Sequence, residues 1–288
     1  MARLAIIGVG RIGGEVAYLA SAMGIADDLV LYDSAPDLLR AQVLDLRHTG
    51  LDMEISTDTS DISDADVCIF SAGLPRNPSV KTRADLLEAN LPATGEAAEL
   101  LADFSGILIT VTNPMDINNY YLCKNTGIPR ERCIGFGGQL DSARFGIALR
   151  DRNISGFPFV VGEHGEHQVP VFSRLGKKVG VRQREEILLE LRGSSMEVIK
   201  GKGGTVFGPA LHLAHLAKMV LMNTRELVVC SAVLEGEYGI SGCSLGVPVI
   251  IGNDGIKRIE EWPLDAWEQK KMDEAGRFAQ ELCRKAVS

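Results

Sequence analysis

The chain has 288 residues, of which 45% are hydrophobic and 24% charged. That balance excludes a disordered chain and suits two domains or one large one. Thirty basic against 38 acidic residues leave a net charge of −8, a poor basis for general binding to nucleic acid or to an anionic membrane, though compatible with a small basic pocket for an acidic metabolite.

In chain order, short β-branched runs alternate with helical periods. Strands are expected over residues 4–9, 29–32, 54–57, 67–71, 107–112 and 133–136. Between them, residues 11–23 carry Ile12, Val16 and Leu19 at i, i+4, i+7, one apolar stripe of a helix. Residues 36–49 repeat the pattern with Leu39, Val43 and Leu46; Ser34 is the expected cap, Pro36 lies in the first turn and Gly50 follows the end. Nearly all-apolar strands alternating with helices predict an α/β fold, a parallel sheet covered on both faces. Beyond about residue 150 the rhythm becomes mixed α+β. Strands are expected over 157–162, 169–172, 228–234 and 245–251, the last two joined by a turn rich in glycine (Gly236, Gly239, Gly242). Helices are expected near 184–200 and 209–222, and a C-terminal helix carries Ala275, Phe278, Ala279 and Leu282.

No run of 18 apolar residues is present and no targeting segment is visible, so neither a membrane span nor export is expected. The six cysteines form no C-x-x-C pair and read as buried, reduced thiols of a cytoplasmic protein.

Gly8-Val9-Gly10-Arg11-Ile12-Gly13 follows a strand and opens a helix. Its glycines allow a tight turn, close approach to a pyrophosphate and close helix–strand packing, and the helix N-terminus favours the anion. Asp33 ends the next strand, 20 residues after Gly13, where an acid accepts both ribose hydroxyls and repels a 2′-phosphate. Together they predict a Rossmann-type, doubly wound first half that binds NAD in preference to NADP.

Four further segments carry polar chemistry. Residues 72–83 place Arg76, Lys81 and Arg83 on a loop beyond the fourth strand, where ligands bind in open α/β sheets; for Lys81 a solvated surface position is the preferred reading. Asn113, in Val111-Thr112-Asn113-Pro114, ends the fifth strand; as an isolated feature it is equally a turn residue. Asp141 and Arg144 lie one helical turn apart, at minimum a local ion pair worth a few tenths of a kcal/mol. His164 lies between glycines (Gly162 and Gly165), just past a strand, which allows close approach by another group. His212 and His215, three apart on a helix, have no further ligand at matching spacing and read as a half-buried pair, so no metal site is expected. His48 and His167 receive no role, and Trp262 and Trp267 read as packing anchors.

These motifs, with Gly203-Gly204-Thr205, Gly208-Pro209-Ala210, Gly236-Glu237-Tyr238-Gly239 and Leu245-Gly246-Val247-Pro248, resemble the lactate/malate dehydrogenase superfamily of 2-hydroxy acid dehydrogenases nearly end to end, and most of all its archaeal-type malate dehydrogenases. The resemblance implies a dinucleotide-binding domain over residues 1–142 and a mixed α+β substrate domain over 143–288. His164 would exchange the proton, Asp141 would hold its other ring nitrogen, and Arg144 would grip the substrate carboxylate as a two-pronged fork. Arg83 would come down with the loop and polarise the carbonyl, and Asn113 would hydrogen-bond the substrate oxygen. NAD would be held by Gly8, Gly10, Arg11, Ile12, Gly13, Asp33, Asn90, Val111 and Asn113.

Arg76 would neutralise malate's second carboxylate if the Pro-Arg-x-Pro string is matched. Counting back from Arg83 without a gap puts Asn77 there instead, because this loop is one residue longer than the usual malate pattern; that is the lactate or broad-specificity alternative. The resemblance further implies a cytoplasmic homodimer or homotetramer of the tricarboxylic acid cycle, acting on a small dicarboxylic 2-hydroxy or 2-oxo acid, with neither nucleic acid nor membrane as partner. Two other classes compete: an NAD-dependent glycosidase, whose chains are far longer and need a Cys/His metal site not found here, and a non-catalytic NAD-binding or redox-sensing protein.

Overall fold

Six short runs become strands; five are apolar and can be buried on both faces at once, and the sixth, residues 54–56, is a partly exposed edge strand. They are β1 (Arg3–Ile7), β2 (Asp28–Tyr32), β3 (Glu54–Ser56), β4 (Val67–Phe70), β5 (Ile107–Thr110) and β6 (Cys133–Gly135). The computed structural model describes residues 2–74 and 82–288. All six strands are parallel, in the order β3-β2-β1-β4-β5-β6. The helices between them are α1 (Arg11–Ala22), α2 (Pro36–His48), α3 (Arg83–Leu100), α4 (Met115–Thr126) and α5 (Gly138–Arg150). The order reverses between β1 and β4, so a crevice opens at the carboxyl ends of the strands, where a doubly wound sheet binds its ligand.

The later elements are β7 (Val160–Gly162), β8 (Gln168–Pro170), α6 (Val181–Lys202), α7 (Phe207–Leu221), β9 (Leu227–Glu235), β10 (Ser241–Gly252), β11 (Gly255–Ile259) and α8 (Ala266–Val287). β9 joins β6 antiparallel through Gly135 and Ser231, and the sheet continues through β10 and β7 to β8, with β11 also paired to β10. The halves therefore share one sheet, and a division at 142/143 falls inside α5. The largest core cluster also spans them, from Leu4 and Val16 to Leu213, Leu245 and Leu282. Each such side chain contributes about 1.5–3 kcal/mol of burial.

Three local expectations change. The N-cap of α2 is Ala35, not Ser34, and no side chain caps it; Asp33 accepts the Ala35 N–H instead, at 3.0 Å. Arg83 does not end a loop but opens α3, whose start is set by a capping box between Thr82 and Asp85. β11 was not expected: Lys257 and Arg258 break its apolar pattern, and it forms as the return arm of a tight hairpin turning at Asn253-Asp254. All six cysteines are buried and free, and Trp262 and Trp267 pack edge-on against Phe159 and Phe172. No described helix is long and apolar enough to cross a membrane.

Candidate active site

The phosphate loop has the geometry its glycines require. Gly8 has φ +92°, and a Cβ there would lie 2.3 Å from the Ala72 nitrogen. A Cβ on Gly13 would lie 1.9 Å from the Gly8 carbonyl oxygen, so only glycine lets α1 sit this close to β1. Gly10 differs: it is the N-cap of α1, in ordinary extended conformation, and a Cβ there would meet nothing within 4 Å. No side chain caps α1 and no acidic residue lies in its first turn. Open space in front of uncapped N–H groups suits a pyrophosphate. Asp33 accepts the Val9 N–H at 2.9 Å, so the expected ribose-binding acid also braces the loop. Arg11 Nη1 donates to the Gly203 carbonyl at 2.9 Å, linking the loop to the start of the α6–α7 connection. Ile12 follows in the first turn. These residues fit NAD.

At the same end of the sheet the polar residues converge. Asp141, on the first turn of α5, is 3% exposed and divides its carboxylate. Oδ2 lies 2.6 Å from His164 Nδ1, and Oδ1 accepts from Arg144 Nη1 at 3.0 Å. The i, i+3 spacing on α5 makes the ion pair, and the β7–β8 turn brings the histidine. His164 is half-buried, and this desolvation disfavours its charged form, but the adjacent Asp141 charge and hydrogen bond outweigh that and raise its pKa above the ordinary value. With Nδ1 committed to Asp141, Nε2 is left for proton exchange. Gly137, before α5, lies against this ring; a Cβ there would come within 2.6 Å of His164 Cγ.

Arg83 enters from α3. Its Nη1 donates to Asn113 Oδ1 at 3.1 Å and its Nη2 to the His164 carbonyl at 2.6 Å, while Nε faces Glu163 Oε1 at 3.4 Å. Asn113 precedes a cis peptide bond to Pro114. Asn90 is buried and bonds to backbone: its Oδ1 accepts from Leu74 N–H at 2.6 Å, and its Nδ2 donates to the carbonyls of Leu74 at 3.2 Å and Asn113 at 2.7 Å. Val111 N–H continues the β4–β5 pairing by donating to Phe70. His164, Asp141, Arg144, Arg83 and Asn113 thus form one connected group. Arg76, Asn77 and Lys81 lie outside the described residues. Among the described residues no cluster of three or more His, Cys, Asp or Glu could hold a metal ion.

Two buried carboxylates here were missed in the sequence. Glu163 is 1% exposed; burial opposes its charge, but the His167 hydrogen bond and the Arg83 charge prevail and hold it down to about 2. Asp116, also 1% exposed, accepts the His164 backbone N–H at 2.8 Å and the Ser231 hydroxyl at 2.5 Å. Burial, then the nearby Glu163 charge, push it up to about 6. The only signals were position: Glu163 precedes the histidine, and Asp116 follows Asn113 by three.

Comparison with known proteins identifies the family. Residues 2–135 match the lactate/malate dehydrogenase NAD-binding domain and residues 139–285 the α/β C-terminal domain of the same family. A malate dehydrogenase of Halobacterium salinarum is 37% identical, covering 96% of each chain. L-lactate dehydrogenase 2 of Bacillus cereus is 33% identical, over 94% of this chain and 93% of its own. The solved malate dehydrogenase of Archaeoglobus fulgidus in complex with NADH superposes with a TM-score of 0.90 at 30% identity, covering 99% of this chain and 100% of that one. The chain belongs to the lactate/malate dehydrogenase family, an oxidoreductase whose NAD-binding domain contains the glycine loop described above.

Proposed function

We propose that the protein is an NAD-dependent malate dehydrogenase interconverting (S)-malate and oxaloacetate. The observation that carries this is the His164–Asp141 couple, 2.6 Å apart, with Arg144 on the same carboxylate and Arg83 and Asn113 beside it. His164 Nε2 takes the hydroxyl proton as the alcohol is oxidised and returns it as the ketone is reduced. Asp141 fixes the tautomer and stabilises the imidazolium. Arg144 receives the C1 carboxylate, and Arg83 and Asn113 polarise the reacting oxygen. Gly8, Gly10, Arg11, Ile12, Gly13, Asp33 and Val111 hold the dinucleotide, with Asn90 and Asn113 shaping the wall of its site. The nicotinamide, when bound, takes up the hydride from the alcohol carbon or supplies it to the ketone. Asp33 favours NAD over NADP by repelling a 2′-phosphate.

Arg76 is the residue we assign to the second carboxylate of malate, a charge that a desolvated pocket must neutralise. The B. cereus relative and the ungapped Asn77 alignment favour a second reading, a lactate or broad-specificity enzyme. The malate dehydrogenase relative and the Pro-Arg-x-Pro match support the first. We further propose residues 1–142 as the cofactor half, 143–288 as the substrate half, and a cytoplasmic homodimer or homotetramer.

Steady-state reduction of oxaloacetate and of pyruvate, each with NADH and with NADPH, tests the assignment. Oxaloacetate with NADH is expected to be preferred, by about 100-fold over pyruvate, and Arg76→Gln to erase most of that preference. Faster pyruvate reduction by the wild type would establish the lactate reading. Oxaloacetate preference unchanged in Arg76→Gln would place the second-carboxylate contact elsewhere.

A further inference from the structure

The His164 side chain is held by Asp141, but its backbone is held by a different acid. The His164 N–H donates to Asp116 Oδ2 at 2.8 Å, and Ser231 Oγ donates to Asp116 Oδ1 at 2.5 Å. Behind Ser231 a buried polar chain continues: Ser231 and Ser244 hydroxyls lie 2.8 Å apart, Asn119 Nδ2 donates to Ser244 Oγ at 2.9 Å, and Thr110 Oγ1 donates to Asn119 Oδ1 at 3.1 Å. Asp116, Asn119, Ser231 and Ser244 are at most 1% exposed. The chain crosses from α4 to β9 and β10, joining the two halves behind the histidine. It fits because β6 carries Gly135 opposite Ser231; a Cβ there would lie 2.6 Å from the Ser231 Cβ.

Burying a carboxylate without a cation is costly, and the two hydrogen bonds to Asp116 offset only part of that cost. Among the described residues no lysine or arginine pairs with Asp116. The groups that face it are Glu163 and His164, Ser231 on β9, Cys243 on β10 and Cys283 on α8. The groups that face His164 are Asp141 with Arg144 on α5, Arg83 on α3, Asp116 on α4 and the adjoining Glu163. Arg83 opposes an imidazolium, and Asp141 and Asp116 favour it.

We propose that Asp116, held by Ser231, is a positioning residue for the proton exchange: it fixes the His164 peptide and supplies a second negative charge that stabilises the imidazolium. The inference rests on His164 being the proton-exchanging group of the proposed dehydrogenase. Oxidation of the alcohol places a positive charge on His164, and two carboxylates then share its stabilisation.

The test is an NMR titration of the His164 ring in the full-length protein, its signal assigned by its absence in His164→Asn, alongside the pH profile of kcat/KM for oxaloacetate reduction. Asp116→Asn keeps the shape: its carboxamide oxygen accepts the His164 N–H, its NH2 donates to Ser231 Oγ, and the hydroxyl proton turns to Ser244. A merely structural role leaves the titration in place. The charge role moves the His164 midpoint down by about 0.5–1 pH unit and shifts the basic limb of the reduction profile with it. Ser231→Ala removes the hydroxyl that stabilises the ionised acid and is expected to move both in the same direction by a smaller amount; it carries the test should Asp116→Asn not fold. An unmoved His164 midpoint in the folded variants overturns the proposal. The titration needs no turnover, so failure of the malate reading appears separately, as a wild type that does not reduce oxaloacetate.

Discussion

Three acids surround one histidine, and they differ in what each does. Asp141 pairs with the ring, Asp116 with the backbone, and Glu163 with Arg83 rather than with His164 itself. The effects of Glu163 and Asp116 on stability have opposite signs. Glu163 titrates lower in the folded chain, at about 2, than its ordinary 4.5. Its stabilisation is complete above 4.5 and is lost as pH falls from there toward 2. Asp116 titrates higher, at about 6 against 3.8, so ionising it costs stability, increasingly between those values and fully above about 6. Thermal unfolding between pH 2 and 8 checks both. Glu163→Gln is expected to flatten the loss of Tm below pH 4.5. Asp116→Asn is expected to flatten the decline between 3.8 and about 6. Slopes like the wild type's in both would contradict the assignment of these charges. Glu163→Gln also removes the charge facing Arg83, and about a tenfold loss of kcat is expected with unchanged NADH affinity, because the cofactor loop lies on β1 and α1.

At the scale of elements, the glycine loop separates binding from folding. Gly10→Ala adds a methyl group in open space with no backbone strain. NADH affinity, read by fluorescence titration, is expected to fall tenfold or more, with Tm within about 2 °C of the wild type. Gly8→Ala forces a methyl group against Ala72 at a left-handed φ, and a loss of more than about 2 kcal/mol is expected. Similar effects of both variants would contradict the reading of Gly10 as the position of closest ligand approach. The loop was legible because glycine requirements and strand-to-helix order are local. So were the first six strands, five of which are apolar runs with no other stable use. The start of α3 was less visible: Thr82 and Asp85 make a capping box that the Pro-containing loop before it obscured. The α2 cap was misplaced because Asp33, chosen as a ribose acid, also serves the backbone beside it. Asp116 could not be placed, because its partners Ser231 and His164 lie 115 and 48 residues away in sequence.

Across the whole molecule, one sheet carries both halves, and the site forms where they meet. Asn113 and Arg83 come from the first half, His164 from the second, and Asp141 with Arg144 from α5 between them. The acidic net charge of −8 coexists with two arginines gathered in this crevice, so the electrostatics that matter are local rather than global. The central claim is that His164 exchanges the proton while the dinucleotide is held elsewhere. The direct measurement is NADH binding and oxaloacetate turnover in parallel for the wild type and His164→Asn. NADH binding within about twofold of the wild type, with turnover reduced by about 10³-fold or more, is the predicted result. Near-normal turnover by His164→Asn would contradict it.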